Sequence, residues 1–145
     1  MLAACGGDKK VDANTDSMGM TPPPAMDQPA MTPGTGTTHE IQMVQDGETF
    51  KYMPENLTIK SGDVVVFKSV SGGLHNVQFE ETGIPAGAMD ILNANIPNRQ
   101  GPLATELVDV GQSVTISFAG APTGDYKFFC LPHQTMNMHG MITVQ

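Results

Sequence analysis

Toward its C-terminal end the chain reads Ser113-Val114-Thr115-Ile116-Ser117-Phe118, in which small polar and large apolar side chains alternate. A period of two places successive side chains on opposite faces of an extended strand, whereas a helix repeats its apolar positions every three to four residues. This segment therefore predicts a β-strand with one face buried in a core.

The same alternation recurs from residue 39 to residue 145, between short runs of Gly, Asp and Ser that favour turns. The other predicted strands are His39–Val44, Leu57–Lys60, Asp63–Lys68, Asn76–Phe79, Glu106–Val108, Tyr126–Cys130 and Met141–Val144. Seven or eight short strands with regular turns predict an all-β sandwich or barrel. The long connection over residues 80–104 is expected to hold one short helix, with Pro85 in its first turn and Met89 and Leu92 facing inward.

The N-terminal part of the chain has a different composition. Residues 6–38 are rich in Met, Pro, Gly and Thr with few large aliphatic side chains, so they cannot bury enough apolar surface to offset the entropy of ordering. We expect a disordered tether over residues 1–38 and a single domain over residues 39–145. Leu2-Ala3-Ala4-Cys5 looks like the acylation site of a bacterial lipoprotein, which predicts that Cys5 carries a lipid and anchors a periplasmic or otherwise extracytoplasmic protein to a membrane.

The charge of the chain restricts its partners. Seven basic and fifteen acidic residues give a formal net charge of −8. An acidic surface repels phosphate backbones, so nucleic-acid binding is excluded, and it attracts basic proteins.

A cluster of soft and borderline metal ligands lies near the C-terminus. Cys130, His133 and Met138 share one loop between two predicted strands, and His75 follows a Gly-rich turn far upstream. A lone buried cysteine is often structural and a lone histidine after a turn is often only polar, but here they stand in register with a methionine. Two His and one Cys with a weak axial Met are the ligand set of blue-copper sites. The loop ends of an antiparallel sandwich meet at one pole, so we expect the four residues to hold one copper ion that cycles between Cu(I) and Cu(II).

The axial position has competing candidates. Spacing selects Met138 over Met136, which we expect on an exposed rim, and over Met141, which we assign to the core of the last strand. His139 is expected to be a surface histidine, and the alternative is that it replaces the axial ligand in a distorted site.

Two segments carry a resemblance to a known family. The segment Gly124-Asp125-Tyr126-Lys127-Phe128-Phe129-Cys130-Leu131-Pro132-His133-Gln134, followed by Met138, closely resembles the C-terminal copper loop of plastocyanins. Leu74-His75-Asn76-Val77-Gln78-Phe79-Glu80-Glu81, followed by Ile84-Pro85-Ala86-Gly87, is similar to the first-histidine segment of that family. The resemblance covers most of residues 39–145 and implies a cupredoxin Greek-key β-sandwich of seven to eight strands.

The resemblance also implies roles for individual residues. It makes His75, Cys130 and His133 the strong ligands and Met138 the axial ligand, and it implies that Asn76 braces the Cys130 loop by hydrogen bonding. Phe129 stands where plant plastocyanins present a docking tyrosine, so a photosynthetic partner is not inferred. The lipoprotein-like start is similar instead to that of membrane-anchored bacterial cupredoxins.

These features predict a type 1 (blue) copper electron-transfer protein of the cell envelope that is not an enzyme. We expect a monomer that meets transient redox partners, such as a c-type cytochrome or a membrane oxidoreductase, and that touches the membrane only through its lipid. The ring edge of His133 is the expected electron port, facing solvent amid Leu131, Pro132 and Met136. The alternative function is copper binding or delivery in the envelope. A copper enzyme would need further His-rich motifs or a second loop cysteine, and a Met ligand suits zinc poorly.

Overall fold

The structure, a computed structural model, describes residues 34–145, and these residues form a two-sheet sandwich. The strands are β1 (Thr38–Asp46), β2 (Thr49–Met53), β3 (Asn56–Ile59), β4 (Val64–Ser69), β5 (Gln78–Phe79), β6 (Ser113–Ser117), β7 (Gly124–Phe129) and β8 (His139–Val144). One α-helix, α1, covers Ala88–Asn95, and two 3-10 helices cover Glu81–Gly83 and Leu131–Met136. The predicted all-β sandwich of seven to eight strands is confirmed.

Both sheets have four strands and mixed pairing. Their orders are β2-β1-β4-β6 and β3-β8-β7-β5. The β1·β4 and β3·β8 pairs are parallel and the other pairs are antiparallel. The sequence suggested an antiparallel sandwich, whereas each sheet contains one parallel pair. The last strand of the chain thus lies in the sheet interior, between β3 and β7.

Aromatic side chains from both sheets meet in the core. Tyr52 and Phe67 from one sheet pack edge-to-face on Phe128 from the other, with ring centroids 4.8 Å and 5.4 Å away. Phe79 extends the cluster on the β5 side of Phe128. Edge-to-face pairs contribute about 0.5–1.5 kcal/mol each beyond the area they bury. Because Phe128 lies two residues before Cys130, this cluster gives the ligand loop a rigid base.

Some local predictions are wrong. Residues 106–108 form no strand, and only Val108 makes an isolated bridge, to His75. The strand β2 was not predicted. Met141 is half-buried on the outer face of β8, because Gly140, Ile142 and Val144 occupy the inner one.

The helix lies in the predicted connection but begins later than expected. Gly87 precedes it in a left-handed conformation (φ 81°), so Pro85 stays outside the first turn and only its carbonyl accepts the Ala88 N–H. Leu92 is buried and Met89 packs against the core, as predicted.

At the N-terminal end of the described region, Gly36 and Thr37 donate backbone hydrogen bonds to the Gly62 carbonyl and the Asp63 carboxylate. The predicted lipid site at Cys5 and most of the predicted tether lie outside the described residues. Within residues 34–145, no helix combines the length and the apolar character needed to cross a bilayer.

Candidate metal centre

His75, Cys130 and His133 converge at one end of the sandwich, and all three are buried. Their donor atoms lie within 4.8 Å of one another. The Cys130 sulfur is 3.6 Å from Nδ1 of His75 and 3.4 Å from Nδ1 of His133. In a trigonal site each donor atom lies about 2.0–2.3 Å from the ion. Two donor atoms of such a site are then about 3.5–4.0 Å apart. The spacing therefore fits one metal ion held by two imidazoles and a thiolate.

The loop after β7 holds Cys130 and His133 through its own backbone. The His133 N–H donates to the Cys130 carbonyl (3.1 Å), and the Cys130 N–H donates to the Met138 carbonyl (3.1 Å). Asn137 turns the loop in a left-handed conformation (φ 62°), which asparagine tolerates better than most residues. The Cys-x2-His-x4-Met spacing thus becomes a closed loop that brings its ends together.

His75 is fixed by its backbone and by its ring. Its N–H and carbonyl form a reciprocal pair with Val108, at 3.0 Å and 2.8 Å. Its Nε2 lies 2.8 Å from the Ser71 carbonyl, an acceptor that requires Nε2 to carry the proton. Nδ1, which faces the Cys130 sulfur, is then left free to bind a metal.

Asn76 connects the two halves of the site. Its side-chain Oδ1 accepts the Leu131 N–H at 2.8 Å, which ties the segment after His75 to the segment after Cys130. This is the contact that the resemblance implied. The sequence did not indicate that the Asn76 carbonyl accepts a hydrogen bond from the hydroxyl of Tyr52, at 2.7 Å.

His133 is more enclosed than expected. The ring of Phe50, on β2, stacks on it with centroids 3.9 Å apart and an interplanar angle of 12°. His133 is consequently only 9% exposed, and just an edge of its ring reaches solvent. Phe50 was missed because β2 was missed. The alternation of Phe50 and Tyr52 with polar neighbours was the available signal.

The electrostatics of the cluster favour a bound cation. Burial, followed by the charge of His75, lowers the pKa of His133, so its imidazole is neutral and able to bind a metal. Burial raises the pKa of the Cys130 thiol, and the neighbouring backbone of Asn76 and His133 and the hydroxyl of Tyr52 partly oppose that rise. A metal cation supplies the positive charge that converts such a buried thiol into a thiolate.

The remaining candidates for the axial ligand differ in how deeply they are buried. Met138 is fully buried, whereas Met136 is half exposed on the rim, as predicted. His139 lies partly exposed with its Nε2 2.8 Å from Oδ1 of Asn137, and it is not part of the ligand cluster. With soft sulfur donors beside imidazoles, the pattern of His75, Cys130, His133 and Met138 fits one copper ion.

Comparison with known proteins agrees with the site. Residues 39–145 match the family described as copper binding proteins, plastocyanin/azurin family. Plastocyanin from Ginkgo biloba is 32% identical over 108 residues, covering 72% of this chain and 98% of that protein. Plastocyanin from Nostoc punctiforme is 33% identical over 109 residues, covering 74% of this chain and 74% of that protein. The oxidized plastocyanin of the fern Dryopteris crassirhizoma superposes with a TM-score of 0.55 at 27% identity, covering 73% of this chain and 99% of that one.

The family match spans well over half of the chain, and its residues include the whole ligand cluster. The chain therefore belongs to the plastocyanin/azurin family of copper-binding proteins and is a small blue copper electron carrier of the cupredoxin fold, not an enzyme.

Proposed function

We propose that this protein carries single electrons between protein partners in the cell envelope, with one copper held by His75, Cys130 and His133 and with Met138 as the axial ligand. The observation that supports this most is the spacing of the three donor atoms, 3.4–3.6 Å from sulfur to imidazole nitrogen in a buried site. When bound in such a set, copper supplies a Cu(I)/Cu(II) couple for electron transfer.

The protein's own contribution is to keep these donors in place. His75 is held by Val108 and Ser71, and the Cys130 loop is held by Asn76 and by its internal backbone bonds. Ligands anchored by backbone on a stiff sandwich shift little when the charge of the ion changes. Small rearrangement suits rapid electron exchange.

The electron port in this proposal is the remaining exposed edge of His133. Apolar side chains surround this end of the molecule, since Leu74, Leu107, Leu131 and Met136 are each about half exposed. A small apolar contact surface of this kind suits a transient complex, because interfaces below ~1,200 Å² permit fast release.

Acidic residues lie around the apolar rim. Glu48 is in the turn before β2, Glu106 lies near Leu107, and Asp109 is in the turn beside Ser69. We infer that the partners are basic proteins, c-type cytochromes among them, and that association slows as salt rises. Stopped-flow oxidation by a basic cytochrome tests this inference. A rate that is flat across ionic strength would exclude electrostatic steering.

The envelope location rests on the N-terminal motif. A lipid on Cys5, joined to the carrier domain through the N-terminal segment, would hold that domain near a membrane while leaving it free to meet partners. Mass spectrometry of the membrane fraction tests the lipid. An unmodified Cys5 in mature protein would remove the anchor from the proposal.

Substitutions test each ligand. Cys130→Ser is expected to abolish the intense thiolate absorption, and His75→Gly to open a water-accessible position on the ion. Met138→Leu should retain the blue colour and raise the reduction potential, because a weak donor to Cu(II) is lost. An unchanged potential and spectrum in Met138→Leu would transfer the axial role to Met136 or His139.

Copper delivery, the alternative from the sequence, is tested by exchange. A carrier retains copper through repeated redox cycles in the presence of a thiol or thioether competitor, whereas a delivery protein releases Cu(I) to it. Burial of the three ligands and the hydrogen bond that holds the His75 ring on Ser71 support retention.

A further inference from the structure

Tyr52 lies in β2 with its ring fixed in the core. It is 1% exposed, and its ring packs edge-on against Phe67 and Phe128, with centroids 6.3 Å and 4.8 Å away. Its hydroxyl donates to the Asn76 carbonyl at 2.7 Å. A buried tyrosine whose ring cannot move holds its hydroxyl, and therefore the group that accepts from it, in one place.

The acceptor, Asn76, is the residue that contacts both halves of the site. Its side chain accepts the Leu131 N–H at 2.8 Å. Tyr52 thus acts on the ligand loop through the residue that braces it.

A carbonyl can only accept, so the hydroxyl of Tyr52 carries the proton of its bond to Asn76. The phenol therefore stays protonated and remains a hydrogen-bond donor throughout the physiological range of pH.

We propose that Tyr52 is a positioning residue that sets the reduction potential of the copper site by holding Asn76, and with it the loop that begins at Cys130. The inference rests on the proposed electron-transfer function. Hydrogen bonds around the cysteine sulfur tune the potential of blue-copper sites. Asn76 follows one ligand and accepts from the residue after another, so loosening it lets the ligands relax toward the geometry that Cu(II) prefers. Such relaxation stabilises the oxidised state, so a firm hold on Asn76 raises the potential.

The chain supplies a matched control, because it has two tyrosines and both are buried. The hydroxyl of Tyr126 also donates to a backbone carbonyl at 2.7 Å, that of Pro122. Pro122 belongs to the loop before β7, whereas Cys130 follows that strand. Tyr52→Phe and Tyr126→Phe each remove one such hydrogen bond, but only the first lies at the metal site.

The experiment measures the reduction potential of the full, copper-loaded chain in both variants. Tyr52→Phe is expected to stay blue with a lower potential, and Tyr126→Phe to match the parent protein. In the copper-free protein, the Leu131 amide of Tyr52→Phe should exchange about tenfold faster, the factor that corresponds to ~1.4 kcal/mol. A purely structural role for Tyr52 would lower the stability of both variants and shift neither potential.

A second measurement tests the same inference even if Tyr52→Phe does not fold. In a Tyr126→Phe background, feeding 3-fluorotyrosine labels Tyr52 alone and makes its hydroxyl a stronger donor without removing it. The potential is then expected to rise. An unchanged potential there, or equal shifts in the two Tyr→Phe variants, overturns the inference. A parent protein that does not turn blue with copper contradicts the proposed function itself.

Discussion

The two glycines before His75 allow the packing around the metal site to be measured separately from backbone strain. Gly72 and Gly73 both adopt left-handed conformations, with φ of 97° and 84°. A Cβ on Gly72 would lie 2.9 Å from Cε1 of Phe50 and 3.1 Å from Nε2 of His75, whereas a Cβ on Gly73 would meet nothing within 4 Å. Gly72→Ala and Gly73→Ala therefore share the strain and differ in the contact.

The structure gives a magnitude for each variant. Placing an L side chain in the left-handed region lowers the free energy of unfolding by about 1–2 kcal/mol. This strain is the whole loss expected for Gly73→Ala. Gly72→Ala adds the overpacking of Phe50, whose ring is already stacked on His133, and of Gln45, whose Cβ would lie 2.9 Å away. Overpacking of a close-packed site adds about 1–3 kcal/mol. We expect a total loss of about 2–5 kcal/mol for Gly72→Ala.

Urea unfolding of the copper-free proteins is the appropriate assay, because metal binding would otherwise add to the stability of the native state. The expected result is a lower midpoint for Gly72→Ala than for Gly73→Ala, with the same slope against urea. Equal midpoints would show that Gly72 does not pack against Phe50 and His75, and the enclosed arrangement of His133 would then be incorrect.

Three further predictions follow from single contacts. Phe50→Leu is expected to keep the blue site while the copper-free protein loses about 1 kcal/mol in urea unfolding, because the stacked ring on His133 is lost; unchanged stability would argue against the stacking. The backbone N–H of Lys60, and then the side chain of His39, hold the pKa of Asp63 below its usual value. The ionised Asp63 carboxylate therefore adds its full contribution to the free energy of unfolding above the unfolded-state pKa of about 3.9, and this contribution disappears as pH falls through the lower folded-state pKa. Between about pH 6 and pH 3, the free energy of unfolding should therefore fall less steeply with acid in Asp63→Asn than in the parent protein. Parallel pH dependences of the two proteins would contradict this. Removal of copper should lower Tm, by an amount corresponding to about 4 kcal/mol when free copper is 1,000-fold above its Kd, and a calorimetric Tm that is independent of copper would contradict binding to the native state.

Sequence patterns predicted the ligand loop well because it is local. Cys130, His133 and Met138 lie within one short segment, so their spacing alone brings them together, and backbone bonds within the loop then close it. His75 required an additional inference, that the turn before a strand reaches the same pole of the sandwich. The structure brings it within 3.6 Å of the Cys130 sulfur.

The surroundings of the site were not predictable in the same way. Phe50 and Tyr52 lie on a strand that is remote in sequence from the ligands, and their contacts arise only when the two sheets pack together. Parallel pairing of β1 with β4 likewise depends on the global topology and leaves no local signature. Residues 106–108 have a strand-like composition, but their only strand-like pairing is the isolated bridge between Val108 and His75, and they form no ladder.

The central claim is that a thiolate and two imidazoles hold one copper. The most direct test is the visible absorption and EPR spectrum of the full chain after addition of one equivalent of Cu(II). An intense blue thiolate-to-copper band with a narrow copper hyperfine splitting is the predicted result, and Cys130→Ser should lose both. A colourless protein with the spectrum of ordinary tetragonal Cu(II) would show that Cys130 is not a ligand and would contradict the site described for His75, Cys130 and His133.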